Sequence, residues 1–186
     1  LGDVYKRQKY MLTASVRRDG YSAFGVNNKR ATFPSVALGY VFTSEKFMEG
    51  INHWLNYGKL RFSWGQNGNR DIGQYAALSN MKTNPLTYIG PDGTVYTSTY
   101  IYVNTMANNN LRWERTESYN LGLDFSLFND IIGGSLEVYS GTTKDLLVER
   151  SLPSITGFAN VTANLGKLRN KGLELTLNAN IFKQDN

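Results

Sequence analysis

The chain has 186 residues, 41% hydrophobic and 19% charged, with a formal net charge of +5. These proportions exclude intrinsic disorder and fit one ordinary domain. No stretch approaches the roughly 20 apolar residues of a membrane-spanning helix, and the lack of cysteine removes disulfides, thiolate metal sites and cysteine nucleophiles together. The 20 basic residues are scattered rather than gathered in runs, so the positive balance describes a solvated surface and no nucleic acid partner is expected. Twelve Tyr, nine Phe, three Trp and 18 Gly against four Pro make the mixture of many strands joined by tight turns.

Asp3 to Gln8 spell DVYKRQ, the translation of GATGTGTATAAGAGACAG, a library-preparation adapter. Residues 1–8 are therefore expected to be a sequencing artefact, and residues 9–186 a segment of a larger protein. Six segments then alternate with the period of two that only a strand can sort onto separate faces. In the first, Tyr10, Leu12, Ala14 and Val16 alternate with Met11, Thr13, Ser15 and Arg17. In the second, Pro34, Val36, Leu38, Tyr40 and Phe42 face away from Ser35, Ala37, Gly39 and Val41. Leu60, Phe62 and Trp64 oppose Lys59, Arg61 and Ser63, and in YNLGLDFSLF the apolar Tyr119, Leu121, Leu123, Phe125 and Leu127 oppose small or polar residues. A weaker fifth segment runs from about Ser135 to Leu147, and the sixth sets Leu173, Leu175, Leu177, Ala179 and Ile181 against Gly172, Glu174, Thr176, Asn178 and Asn180.

Side by side, such strands place Arg17, Lys59, Arg61, Asn120, Asp124, Glu137, Glu174 and Asn178 on one face and almost only Leu, Phe, Tyr, Val and Ala on the other. That pattern fits either a soluble sandwich packed on a core or a membrane barrel facing lipid. Strands of about ten residues match the roughly 9 to 11 needed to cross a bilayer at a tilt, against about five or six for globular strands. Connections point the same way. FNDIIGG reads as a tight turn built on Asn129, Asp130, Gly133 and Gly134, FKQDN as a second short turn, and SEKFMEGINHWLN as a short helix, all on one side. RDGYSAFGVNNKRA, the span from Gly65 to about Arg112 and VERSLPSITGFANVTANLGKLRN become long loops on the other. Within the longest loop, GQYAALSN and TVYTSTYIYV are expected to pair as a hairpin, since one extra strand alone would invert every later assignment.

Constellations for catalysis are poor. His53 is the only histidine and lies in a turn beside Trp54, which suits a surface residue better than a triad base. Asp145 and Glu149 are charged loop residues that solvate a turn. GQNGN (Gly65 to Asn69) lacks the Lys and Ser or Thr of a phosphate loop and reads as a turn, and DGTVY has too few oxygen ligands for calcium. No catalytic residue, cofactor or metal is assigned. Tyr40, Phe42, Trp64 and Tyr119 end the apolar ladders, where rings would stand at headgroup level. Loop aromatics, among them Trp113 and Phe158, could stack on a ligand.

RRDGYSAFGVNNKRATFPSVALGYVFTSEKFM (Arg17 to Met48), YGKLRFSWGQNGNRDIGQY (Tyr57 to Tyr75), NNNLRWERTESYNLGLDFSLFND, GSLEVYSGTTKDLL and NLGKLRNKGLELTLN, in this order, resemble the barrel region of SusC/RagA-type TonB-dependent outer-membrane transporters. The resemblance implies an all-β fold: about six strands of a partial antiparallel transmembrane barrel of about 22 strands, an open curved sheet when isolated, with long extracellular loops. It further implies an N-terminal plug and TonB-binding segment elsewhere in the parent, a SusD-like surface lipoprotein as lid, outer-membrane lipid around the wall, and oligosaccharides or peptides as substrates. The location implied is the outer membrane of a Gram-negative, Bacteroidota-type cell. Lys59, Arg61, Asp124 and Glu174 would then face the lumen or plug, and Asn67, Asn69, Trp113 and Phe158 would be loop contacts to substrate or lid. The rival reading is a soluble or surface carbohydrate-binding β-sandwich, which requires the apolar face to pack against a second sheet.

Overall fold

The computed structural model describes residues 2–6, 9–74 and 76–180. Its strands are β1 (Gly2–Lys6), β2 (Tyr10–Gly20), β3 (Arg30–Val41), β4 (Leu55–Asn69), β5 (Asn80–Ile89), β6 (Val95–Met106), β7 (Glu114–Leu127), β8 (Ile132–Lys144), β9 (Leu147–Ser151), β10 (Asn160–Asn164) and β11 (Lys167–Ala179). One seven-stranded sheet has the order β1-β2-β3-β4-β7-β8-β11, and every neighbouring pair in it is antiparallel. The six alternating segments of the sequence are β2, β3, β4, β7, β8 and β11. They follow one another as an up-and-down meander because alternation fixes each register: a slip of one residue would turn every Leu to the polar face.

The connections segregate by end. At one end lie 3-10 turns at Phe42–Ser44 and Lys46–Ile51 in place of the expected helix, and the four-residue turn 128–131. These two connections hold each other: Asn129 N–H donates to Asn56 Oδ1 at 2.6 Å, Asn56 Nδ2 donates to Asn129 Oδ1 at 3.2 Å, and Phe128 N–H donates to the Trp54 carbonyl at 2.9 Å. Phe128, Asn129 and Asp130 are all left-handed, with φ of 55°, 56° and 66°. Each costs roughly 1–2 kcal/mol, which the Asn56 pair and the Asn180 N–H to Ile131 carbonyl bond of 2.8 Å help to offset. The expected turn at Gly133 and Gly134 is corrected: both stand in β8, paired with Ser126 and Phe125. FKQDN lies outside the described residues.

At the opposite end stand the β2–β3 loop, the excursion between β4 and β7, and the β8–β11 connection. A second sheet, ordered β5-β6-β10-β9, belongs to this end. The hairpin in the long excursion exists as β5 and β6, but its first strand is NMKTNPLTYI rather than GQYAALSN; Tyr75 of that stretch lies outside the described residues. Gly93, with φ of 76°, closes the hairpin after Pro91 and Asp92, its N–H donating to the Gly90 carbonyl at 3.0 Å. A type I turn followed by a left-handed residue is one of the few closures that suits the strand twist.

The core of buried side chains sits at this loop end rather than between the two sheets. Phe24, Ala31, Phe33, Ala77, Leu111 and Trp113 form it, with Tyr21, Ile72, Ala76 and Leu147 packed against them. The apolar face of the large sheet stays uncovered: Leu38 is 47% exposed, Leu121 48%, Leu173 66% and Leu177 61%. The second sheet is not the missing layer of a sandwich.

Candidate functional site

Cross-strand register places the polar residues in rows. One row runs Met11, Gly39, Arg61, Gly122, Glu137, Glu174 across β2, β3, β4, β7, β8 and β11. The next places Val41, Lys59, Asp124, Ser135 and Thr176 in line. Of the sequence-derived wall candidates, the fold brings Lys59, Arg61, Asp124 and Glu174 to one face within two adjacent rows.

Arg61 is the hub. Its Nε and one terminal nitrogen, Nη2, grip the two Asp124 oxygens at 2.7 and 2.8 Å, and Nη2 also donates to Glu137 Oε1 at 2.8 Å. The second Glu137 oxygen accepts from Asn120 Nδ2 at 3.1 Å. A planar guanidinium carries the fork of donors needed for two carboxylates at once, which a lysine ammonium does not. Reaching Glu137 from β4 means crossing β7, and Gly122 is what lies beneath: a Cβ there would stand 3.1 Å from Nη2. Lys59 and Glu174 differ. Among the described residues neither has an opposite charge at ion-pair distance, and Glu174 stands directly across from Glu137. Like charges in register repel, so this edge of the row is suited to receive a cation. Glu137 itself was legible only as one of several polar-face residues; its partnership with Arg61 needed the register.

The four loop candidates fare differently. Asn67 and Asn69 are not in a loop: GQNGN continues β4, pairing with Thr116 and Glu114 of β7, and Asn69 Nδ2 donates to Glu114 Oε1 at 3.3 Å. The alternation had been hidden by glycines at 65 and 68. Trp113 is 3% exposed, its ring 4.9 Å from Phe24 and 5.7 Å from Phe33, so it packs the loop core rather than meeting a ligand. Phe158 lies half-buried in the β9–β10 connection. His53 is exposed in the β3–β4 connection at the opposite end of the sheet.

What the motif LRWE does is tie the loops together. Leu111 and Trp113 are buried, and between them Arg112 points outward to Asp145 at 2.6 Å, an ion pair that raises the Arg112 pKa further. Glu114 accepts from Leu147 N–H at 3.2 Å. Asn164 closes the joint, accepting from Arg112 N–H at 2.9 Å and donating to the carbonyls of Arg112 at 2.8 Å and Asp145 at 2.9 Å. Asp145, expected as a charged turn residue, is thereby a left-handed turn residue with φ of 60° held by an arginine. The β5–β6 hairpin at this end shows a tyrosine face, with Tyr88 and Tyr96 stacked at 5.6 Å and Tyr100 and Tyr102 tilted against each other at 5.8 Å.

Comparison with known proteins agrees with this geometry. The sequence matches the family described as TonB dependent receptor-like, beta-barrel, over residues 1–185. It is 36% identical over 186 residues to TonB-dependent receptor P39 of Formosa agariphila, and 39% identical over 173 residues to TonB-dependent receptor SusC of Bacteroides thetaiotaomicron, covering 100% and 92% of this chain. The chain spans 17% of the length of each of those relatives. Among solved structures, a chain of the RagAB peptide importer in its closed-closed state superposes with a TM-score of 0.80 at 29% identity, over 95% of this chain and 18% of that one. Matched over nearly its whole length in sequence and in strand arrangement, the chain belongs to the TonB dependent receptor-like β-barrel family.

Proposed function

We propose that this segment is barrel wall and outer-rim loop of a SusC-like, TonB-dependent importer in the outer membrane of a Bacteroidota-type cell, and that the substrate is an oligosaccharide or a peptide. The observation that carries the reading is the pair of opposed faces. Six strands of one antiparallel sheet, 11 to 15 residues long, show uncovered Leu, Val, Phe and Tyr on one side and the Arg61 network on the other. Antiparallel strands of that length, apolar outward and polar inward, satisfy a bilayer only when the sheet closes, so the lumen side must be wet or filled by protein.

In this reading Lys59, Arg61, Asp124 and Glu174 face the plug. The charge of Arg61 is already balanced by two carboxylates, so Glu174 and Lys59 are the charged groups left to bind the plug. Asn67 at the end of β4, Phe158 and the tyrosines of the β5–β6 hairpin border the vestibule where substrate and a SusD-like lipoprotein lid would meet the receptor. TonB would act through the N-terminal part of the parent protein. A solved relative described as a peptide importer supports the peptide class, and the resemblance of the motifs to SusC-type transporters supports the oligosaccharide class.

A strain carrying the full-length gene with residues 80–106 replaced by a short Gly-Ser link tests the vestibule role. The expected result is a receptor present in the outer membrane at normal level with growth on its nutrient reduced. Unchanged growth on every oligosaccharide and peptide that the intact gene supports would remove the hairpin from the mechanism.

A further inference from the structure

On β11 the residues of the apolar face change character abruptly. Leu177, Leu175 and Leu173 are followed, on the same face, by Lys171, Arg169 and Lys167. The neighbouring strands change at the same height: Val138 gives way to Ser140, Thr142 and Lys144 on β8, and Leu121 to Tyr119, Glu117 and Arg115 on β7. The result is a band of five cations, Arg115, Lys144, Lys167, Arg169 and Lys171, directly beyond the apolar belt on its loop side. Glu117 is the one carboxylate in it, bound by Trp64 Nε1 at 3.1 Å and by the Tyr119 hydroxyl at 3.0 Å, with Lys144 at 4.0 Å. Among the described residues, Arg115, Lys167, Arg169 and Lys171 have no carboxylate at ion-pair distance.

Below the cations the same face is grooved. A depression of about 500 Å³ is walled by Phe62, Leu121 and Val138 at its apolar end and by Tyr119, Arg169 and Lys171 at its polar end. An apolar trough that opens into unpaired cations matches a molecule with a hydrocarbon chain joined to an anion. Water offers no such partner to the trough, and a soluble anion leaves it empty.

We propose that this groove is a binding site for a phosphate-bearing, acylated lipid of the outer leaflet, the chain lying along Phe62, Leu121 and Val138 and the phosphate between Arg169 and Lys171. It rests on the reading that this face meets the bilayer. Lysine and arginine at a membrane surface attract anionic headgroups by an amount that falls off within a Debye length, and a guanidinium adds bidentate geometry toward phosphate. The alternation KLRNKGLELTL carried the signal in sequence, as three cations and three leucines in phase.

The test uses the full-length receptor reconstituted in nanodiscs of phosphatidylcholine doped with dioleoyl phosphatidic acid, and reads the lipids that stay bound on release into the gas phase. The intact protein is expected to retain phosphatidic acid over phosphatidylcholine, and R169Q/K171Q to lose at least roughly tenfold of that preference. Val138→Trp, which fills the trough without touching charge, is expected to lower retention as well. Equal retention of the two lipids by the intact protein, an unchanged preference in R169Q/K171Q, or full displacement by inorganic phosphate alone would overturn the site. A receptor that fails to insert as a heat-modifiable barrel would instead overturn the membrane reading on which it rests.

Discussion

Arg61 on β4 and Glu137 on β8 are joined by a 2.8 Å bond that passes over the intervening strand at Gly122. The sheet therefore has a lateral brace three strands wide on its polar face, made by one long cation and permitted by one missing side chain. Asp124 fixes the other edge of the same guanidinium. A wall that must stay wet inside and keep its curvature gains a tie that does not depend on burial.

Gly122→Leu should break the brace without touching either charge. Arg61 and Glu137 are partly solvated, so the loss is expected at about 1 kcal/mol, the size of a charged hydrogen bond discounted for screening. Urea unfolding of the full-length receptor in detergent measures it. A second substitution, Glu137→Gln, should then cost almost nothing more; additive losses would show that the two residues are not coupled through Arg61.

Adjacent positions on β7 should respond in opposite ways to the same charge. Leu121→Arg places a guanidinium on the lipid side, at the edge of the apolar belt rather than at its middle, and is expected to cost about 1–3 kcal/mol in bilayer stability. Asn120→Arg, one residue away and beside Glu137, should cost less than about 1 kcal/mol. Folding titrations into phosphatidylcholine vesicles compare them, and equal penalties would contradict the assignment of faces.

The loop core predicts a contrast at Trp113. Its Nε1 is buried without a hydrogen-bond partner among the described residues, so Trp113→Phe gives up volume but no bond and is expected to be mild, near 1 kcal/mol. Trp113→Ala opens a cavity beside Phe24 and Phe33 and should cost about 3–5 kcal/mol locally. Limited trypsin cleavage at Lys29, Arg30 and Arg70 reports it, since those sites flank the core. Gly25→Ala should mimic the alanine variant, because a Cβ there would overlap the Asn109 carbonyl.

Asp92 at the hairpin tip carries the pH dependence. Its carboxylate accepts from Thr94 N–H at 3.1 Å, the Thr94 hydroxyl at 3.0 Å and the Tyr96 hydroxyl at 3.0 Å, which hold its pKa below the ordinary carboxylate value. A carboxylate depressed in the folded state stabilises above its unfolded pKa, about 3.9, and loses that contribution as pH falls through the lower folded value. The protection factor of the hairpin-tip amides, the exchange rate taken relative to the intrinsic rate at each pH, should therefore fall on acidification through that window in the wild type and show no such step in Asp92→Asn.

How much of this was legible beforehand follows from where short-range pattern suffices. Alternation alone found β2, β3, β4, β7, β8 and β11 and sorted Arg61 from Phe62 and Asp124 from Leu123, because in a strand the face of a side chain is settled by its own parity. The loop end was legible only in part. Pattern places the hairpin partner seven residues early, at Gly73 against Asn80, and the glycines at 65 and 68 interrupt the alternation of β4 and give Asn67 and Asn69 the look of a loop. Trp113 looked like an exposed aromatic since nothing local announces that Phe24, some ninety positions earlier, will cover it.

Local pattern settles the six long strands of the wall and their two faces, since both depend on residues within a few positions of one another. Tertiary structure alone decided that Arg61 spans Gly122 to Glu137, that Arg112, Asp145 and Asn164 lock two loops, and that five cations line up beyond the leucines. Those relations join strands distant in sequence, and they exist only once hydrogen-bond register has fixed which rows meet.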